Sequence, residues 1–157
     1  MMKEHNEEIF IQLGYIEETI SHLCLLLNDI EAGEPENHQM AAVGAYLVNF
    51  YNGIENILKN ILRSHNLDLP GGMDWHLQLL NMFGSKGHPK LPHLIDEEMM
   101  RHLDTYRAFH HLFVHGYVIL LRWERLRPNA ERALSIFATF RHKIEEYLKS
   151  EESQSAQ

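Results

Sequence analysis

The sequence predicts an all-α fold, an antiparallel bundle of four long helices plus a short helix. Apolar residues recur at alternating steps of three and four, which is the spacing of one helical face. No stretch shows the period of two that is typical of strands. Glycine and proline interrupt the helical pattern at 33–35, 70–72 and 84–92, and helices are expected to end there.

Length and composition fit one domain. The chain has 157 residues, of which 45% are hydrophobic and 23% charged, so it can bury a core without disulfides. We assign residues 1–150 to a single helical domain and 151–157 to a flexible polar tail. Cys24 is the sole cysteine, and no uninterrupted apolar run reaches the roughly 18 residues of a membrane span. We therefore expect a cytoplasmic protein with no membrane partner.

The first two helices are expected at about 3–31 and 37–65. The short turn between them, with Gly33 and Pro35, makes them antiparallel neighbours. The first helix has a heptad-like apolar stripe, which is typical of a bundle helix or an interface helix. The residues expected to face inward are Ile9, Leu13, Ile16, Ile20, Leu23, Leu27 and Ile30 in the first helix, and Leu47, Phe50, Ile54, Ile57, Leu58 and Ile61 in the second.

The second helix also carries a polar group that includes Asn52 and Glu55. Glu55 directly follows the apolar Ile54, so it can border the core. Two interpretations remain open. These side chains form an exposed polar face, or Glu55 or Asn52 hydrogen-bonds and orients a cationic side chain of the long helix predicted over 101–125.

The following segments alternate helix and loop. A short helix begins after Asp74 as its N-cap, a loop covers 84–92, and a long helix follows Asp96. Pro128 is expected to turn the chain, and the last helix is predicted from about Asn129 to Ser150. Its inward residues are expected to be Leu134, Phe137, Phe140, Ile144 and Leu148.

The stretch 101–125 is predicted to be one long helix around which the chain is organised. Its apolar face is expected to comprise Leu103, Tyr106, Phe113, Tyr117 and Leu120, continuing from Met99. His110 falls within this series, so a titratable side chain is aimed at the packed face. Either it is satisfied there structurally, or it has a functional role there.

Charge is distributed unevenly along the chain. The formal net charge is −8, which argues against a phosphate-bearing partner for the molecule as a whole. Residues 101–143, however, carry eight Lys or Arg against three Asp or Glu, a local balance of +5. An acidic molecule with one basic face can still bind a phosphate backbone on that face.

Two kinds of chemistry fit the histidines of this stretch. His111 and His115 are four residues apart, a plausible geometry for two metal ligands, but the sequence supplies no further ligands in a recognisable pattern. We therefore predict no metal and no cofactor. The second kind is metal-free RNA cleavage, in which the 2′-hydroxyl is the nucleophile. Histidine suits proton transfer near neutral pH, and arginine suits a phosphate because its fork holds two oxygens at once.

Three segments carry a resemblance to a known family. WHLQLLNMF from Trp75, YRAFHHLFVHGY at 106–117 and WERLRP at 123–128 resemble the HepT-like branch of the HEPN superfamily of small helical ribonucleases. The family motif is Arg, four residues, His, any residue, Tyr. His115, Gly116 and Tyr117 match its last three positions, whereas His110 stands where the family has arginine.

The resemblance implies a site and a regulation. It implies a homodimer whose equivalent helices line one groove for metal-independent RNA cleavage, with His115 as general acid or base and His110 at the altered phosphate-facing position. Arg107 and His111 would be auxiliary substrate contacts. Tyr117 matches the tyrosine to which a cognate nucleotidyltransferase antitoxin (MntA type) attaches adenylate.

We therefore expect an endoribonuclease toxin of a toxin–antitoxin pair. Histidine in place of arginine loses a permanent charge and the bidentate fork, so the chain is a natural variant of low activity, a protein kept for binding, or a mutant. The alternative function is a catalytically inactive HEPN protein that binds a nucleotidyltransferase or nucleic acid.

Overall fold

Five α-helices and one 3₁₀ turn make up the computed structural model, which describes residues 2–30, 33–85 and 87–157. No strand occurs in these ranges. The predicted all-α bundle of four long helices and one short helix is confirmed. The elements are α1 (Met2–Asp29), α2 (Asn37–Ser64), α3 (Trp75–Met82), α4 (Glu97–Val114), a 3₁₀ turn (Val118–Leu120) and α5 (Trp123–Ser155).

The helix at the centre of the bundle is α2, which packs against all four other helices. The inward faces predicted for the first two helices are confirmed, with Leu27 and Ile30 only half-buried at the end of α1. The expectation that residues 101–125 organise the chain is therefore wrong, because the helix with neighbours on every side is α2. Its buried side chains include Leu47, Phe50, Tyr51, Ile54, Glu55, Ile57, Leu58 and Ile61.

Helix α1 has a second property besides core packing. From Lys3 to Asp29 it is long and apolar enough to cross a membrane by length and composition, and 28% of its most apolar window is buried in the fold. This is weak evidence for a membrane span, because core helices of soluble proteins pass the same test. Its outer face exposes Phe10, Ile11, Tyr15 and Leu25.

The close packing of α1 on α2 depends on Gly53, and a matched pair of substitutions tests this. A β-carbon at Gly53 would lie 2.4 Å from Cγ1 of Ile16, whereas one at Gly14 of α1 would meet nothing within 4 Å. Both changes to alanine gain the same helix propensity, so their difference isolates the steric clash. We expect Gly53→Ala to be less stable than Gly14→Ala by about 1–3 kcal/mol, measured by urea unfolding. Equal stability of the two variants would contradict the packing described here.

The predicted long helix over 101–125 is wrong, because α4 ends at Val114. Gly116 has φ +75°, and its N–H donates to the carbonyl of Phe113 at 3.2 Å, while the N–H of Tyr117 donates to the carbonyl of Leu112 at 2.9 Å. These two bonds form the motif in which a left-handed glycine ends a helix. The apolar face consequently stops early. Met99, Leu103 and Tyr106 are buried as predicted, Phe113 is half-buried, and Tyr117 and Leu120 are exposed.

The predicted start of the last helix is also wrong. Helix α5 begins at Trp123 and contains Pro128, although an internal proline costs about 3 kcal/mol. Burial of Leu126, Ala130 and Ala133 in the core offsets this cost, because those side chains face inward only if the helix continues through the proline. The helix runs to Ser155, past the predicted end.

The buried face of α5 differs from the prediction at one position. Leu134 is exposed, and its neighbour Ala133 is buried instead. The other four predicted residues are buried as expected, because they keep the same spacing along the helix: Phe137, Phe140, Ile144 and Leu148.

The segment between α3 and α4 has no regular secondary structure where it is described, as predicted for 84–92; Lys86 lies outside the described residues. Its end is tied to the end of α3, since the carbonyl of Phe83 accepts from the N–H of Leu94 at 3.0 Å and of Ile95 at 3.1 Å. Asp96 then caps α4 by accepting from the N–H of Met99 at 2.8 Å. That hydrogen bond holds the pKa of Asp96 below its usual range. The start of α4 is thus fixed against the core.

Candidate functional site at the end of helix α4

The end of α4 presents two imidazoles and a phenol at the surface. His115 is the C-cap residue of α4, and its ring lies 4.2 Å from that of His111 and 6.4 Å from that of Tyr117, measured between centroids. All three side chains are exposed. We call His111, His115 and Tyr117 the helix-end site. Because Gly116 ends the helix there, Tyr117 folds back beside His115 and does not continue the packed face.

His110 points to the opposite side, into the bundle. Its ring centroid lies 6.1 Å from that of Tyr51 on α2 and 5.7 Å from that of His76 on α3. Burial lowers the pKa of His110 below its ordinary value, although the charge of Glu55 opposes this. Since an unperturbed imidazole has a pKa of about 6.5, His110 is neutral at pH 7. The position therefore carries no permanent positive charge.

Glu55 is the acidic centre of this inner region and is only 4% exposed. Its Oε2 accepts from Nδ1 of His76 at 2.6 Å, and its Oε1 accepts from Nζ of Lys59 at 3.0 Å. Burial alone would raise the pKa of Glu55, but the hydrogen bonds from His76 and Lys59 bring it below its usual value. Glu55 is therefore ionised at neutral pH. We call Glu55, His76, His110, Lys59 and Tyr51 the Glu55 cluster.

Tyr51 adds a buried hydroxyl to this cluster. The side chain is fully buried, and its hydroxyl has no hydrogen-bond partner within the described part of the chain. Burial, together with the nearby charge of Glu55, raises the pKa of Tyr51 far above its ordinary value, so the hydroxyl stays protonated.

The structure separates the residues that the sequence grouped together. His111, His115 and Tyr117 meet at the surface, whereas His110 faces the bundle. Arg107 lies one turn before His110, and its Nε donates to Oδ1 of Asp104 at 2.7 Å.

The expected hydrogen bond from Glu55 or Asn52 to a cation of the helix at 101–125 is not formed within the described residues. Glu55 instead binds His76 of α3 and Lys59 of α2. Each carboxylate oxygen of Glu55 thus has a donor from α2 or α3. His76 was absent from the predicted site, because nothing in local spacing connects residue 76 with residues 55 and 110. The sequence offered one signal for His76, which is an imidazole in the first turn of α3, a helix whose buried residues are Leu79 and Leu80.

A basic groove adjoins the helix-end site. Its volume is about 330 Å³, and it lies between the end of α4 and the start of α5. The apolar floor includes Phe109, Leu112 and Leu121, and the polar rim includes Arg122 and Arg125. Arg125 has no ion-pair partner among the described side chains. A guanidinium in that position is available to an anionic ligand.

The histidine pair was also a candidate for metal binding. Among the residues that the structure describes, no group of three or more His, Cys, Asp or Glu side chains is arranged to hold a metal ion. His111 and His115 thus remain a pair of neighbouring imidazoles. Tyr117 lies beside His115.

Fold and site together define a small helical-bundle protein with a histidine-rich helix end and a buried acid–imidazole cluster. A sequence model of the HepT-like protein family matches residues 42–150, which include both sites. The chain belongs to the HepT-like family, and the resemblance to the HepT-like branch of the HEPN superfamily is confirmed at that level. No curated protein and no solved structure matches the chain.

Proposed function

We propose that the chain is a HepT-like endoribonuclease that cleaves RNA without a metal ion. The observation that carries this proposal is the family match over residues 42–150, which includes His115, Gly116 and Tyr117, together with the exposure of that imidazole beside a second one. His115 would act as general acid or base, His111 and Arg107 would contact substrate, and His110 would face the phosphate. Arg122 and Arg125 on the adjoining groove would hold the RNA backbone.

We further propose that the protein is the toxin of a toxin–antitoxin pair and acts in the cytoplasm as a homodimer. Its partner would be a nucleotidyltransferase that adenylylates Tyr117. The exposed phenol beside His115 supports this, because a phosphate attached there would add negative charge where substrate phosphate binds. A gene for a small nucleotidyltransferase next to this one would be independent support.

One observation favours the second candidate function, a catalytically inactive protein that binds a nucleotidyltransferase or nucleic acid. His110 is neutral at pH 7 because burial lowers its pKa, and Glu55 is already neutralised by Lys59. Position 110 therefore lacks the permanent cation that phosphate chemistry uses. A cleavage assay separates the two functions.

The test is cleavage of a labelled RNA by the purified chain in the presence of EDTA. We expect cleavage to persist, and His115→Ala to reduce it by about 10²–10⁴-fold, the usual contribution of general acid–base catalysis. The matched control is His142→Ala, which removes a histidine that is 72% exposed on α5. Complete inhibition by EDTA would contradict a metal-free reaction. If His115→Ala cleaves RNA as fast as the unsubstituted chain, His115 has no part in the mechanism. If no form of the chain cleaves RNA, the binding function is the one supported.

A further inference from the structure

The Glu55 cluster contains an imidazole that is held like a catalytic group. His76 is bound through Nδ1 to the carboxylate of Glu55 at 2.6 Å. An ionised carboxylate can only accept hydrogen bonds, so the proton of a neutral His76 ring lies on Nδ1. The other nitrogen, Nε2, then carries a free lone pair. This is the arrangement by which a buried carboxylate fixes the tautomer of a general base.

Neighbouring rings fix the orientation of His76. The indole of Trp75 stacks on its ring at 3.5 Å between centroids with planes 28° apart, and Nζ of Lys59 lies 4.6 Å from the centroid of the indole. Despite these contacts, the His76 side chain is 23% exposed. The ring is thus held in place yet remains reachable from solvent, as a proton-transfer group must be.

Charge balance does not require His76 in the cluster. Lys59 already supplies one positive charge to the single negative charge of Glu55. The other titratable side chains around the ring are neutral at pH 7, since burial lowers the pKa of His110 and raises that of Tyr51. Arg107 and Asp104 lie beyond Tyr51 and pair with each other. A proton taken up by His76 would therefore be stabilised by the adjacent carboxylate.

We propose that His76 is a second proton-transfer residue of the ribonuclease site, accepting at Nε2 the proton of the substrate's 2′-hydroxyl. The inference rests on the proposed function. As the proton moves to Nε2, the electron pair of O2′ forms a bond to phosphorus and the bond from phosphorus to O5′ breaks. O5′ takes a proton from a protonated histidine; because His115 and His76 of one chain lie on different sides of α4, a second copy of the chain would supply His115 as that donor. The products are a 2′,3′-cyclic phosphate and a 5′-hydroxyl.

The position of His110 supports this role. Its ring lies 5.7 Å from that of His76 in an edge-to-face arrangement, and by family resemblance position 110 faces the scissile phosphate. A base whose ring lies 5.7 Å from the ring at that position is within reach of the neighbouring ribose. Glu55 acts through His76 and is a positioning residue.

The informative variant is His76→Asn, measured in the natural chain and in the His110→Arg background. Asparagine keeps an N–H donor close to where Nδ1 lies, so Glu55 stays satisfied, but it has no group that can take up a proton. We expect kcat to fall by about 10²–10⁴-fold with little change in KM. We also expect the pH–rate profile to lose the limb in which the rate rises with pH. His142→Asn is the matched control, because His142 pairs with Glu146 at 3.3 Å on the exposed face of α5.

A second measurement does not depend on activity. Nitrogen-15 NMR of the natural chain should show that the neutral ring of His76 carries its proton on Nδ1 and none on Nε2. The opposite tautomer would overturn the inference. An undiminished kcat and an unchanged pH profile in His76→Asn would also overturn the inference. In that case cleavage by the parent chain would still support the proposed function. If neither the natural chain nor His110→Arg cleaves RNA, the proposed function falls and the inference falls with it.

Discussion

His110→Arg should raise RNA cleavage by about 10- to 100-fold at pH 7.5, because a hydrogen bond to a charged group is worth about 1.5–3 kcal/mol and each 1.36 kcal/mol is tenfold in rate. The natural side chain is neutral there, since burial lowers the pKa of His110. Arginine would supply a permanent charge and a bidentate fork for phosphate. The buried carboxylate of Glu55, which already raises the pKa of His110, would stabilise that charge.

The measurement is the initial rate of cleavage of one labelled RNA by both forms, with growth arrest on expression as a second readout. The matched control is His142→Arg, which makes the same change on the exposed side of α5 and should leave the rate unaltered. Equal and negligible cleavage by the natural and the His110→Arg chains under the same conditions would contradict the prediction. A rise in both substituted chains would show a general effect of charge.

The pH dependence of this gain follows from the lowered pKa of His110. Below that pKa the imidazole becomes cationic and can face a phosphate, so the natural chain recovers part of what arginine supplies. The groups that set this pKa besides burial are Glu55, His76, His111 and Lys59. Because burial lowers the pKa of His110, the ratio of the two rates should shrink as pH falls below the ordinary imidazole pKa of about 6.5. His115 is common to both forms and cancels in the ratio.

We expect adenylylation of Tyr117 to abolish cleavage, and exposure limits the candidate tyrosines to two. Of the six tyrosines in the chain, Tyr117 at 53% and Tyr15 at 61% are exposed, and the other four are buried or half-buried. Tyr117 lies beside His115, whereas Tyr15 is on the outer face of α1. A phosphodiester at Tyr117 would place a negative charge in the helix-end site and repel the RNA backbone.

The experiment incubates the chain with a cognate nucleotidyltransferase and ATP, followed by intact-mass analysis and a cleavage assay. We expect the natural chain and Tyr15→Phe to gain one or more adenylate groups and lose activity. Tyr117→Phe should gain none and keep its activity, because the phenol hydroxyl is not needed for proton transfer by His115. An unchanged mass of the natural chain, or modification that persists in Tyr117→Phe, would defeat this hypothesis.

Helix α4 carries residues of two different groups on its two sides, the helix-end site and the Glu55 cluster. The helix-end site is built from residues close in sequence, which share one exposed turn because Gly116 ends the helix. The Glu55 cluster gathers residues from α2, α3 and α4 and is largely buried. In the proposed reaction, RNA would lie against both, which needs a groove wider than one helix face. A second copy of the chain would widen that groove, in line with the proposed homodimer.

What the sequence by itself determined was the local structure and the family. Three- and four-residue periodicity predicted the helices and most of their buried faces, because burial of an apolar stripe depends only on spacing along one helix. The segments at 75–83, 106–117 and 123–128 carried the resemblance that the family match over residues 42–150 bears out. The break at Gly116 had a local signal in the glycine itself, but the apolar spacing continued to Tyr117 and Leu120 and predicted a longer helix.

Only the tertiary structure decided which groups meet. Pro128 lies inside a helix because burial of α5 side chains outweighs its local cost, and local rules cannot weigh the two. Glu55 binds His76 and Lys59, and His110 meets the rings of His76 and Tyr51, because α2, α3 and α4 converge there. These contacts set the charge of His110 and the tautomer of His76. They join residues far apart in the chain, and no pattern of local spacing encodes such distances.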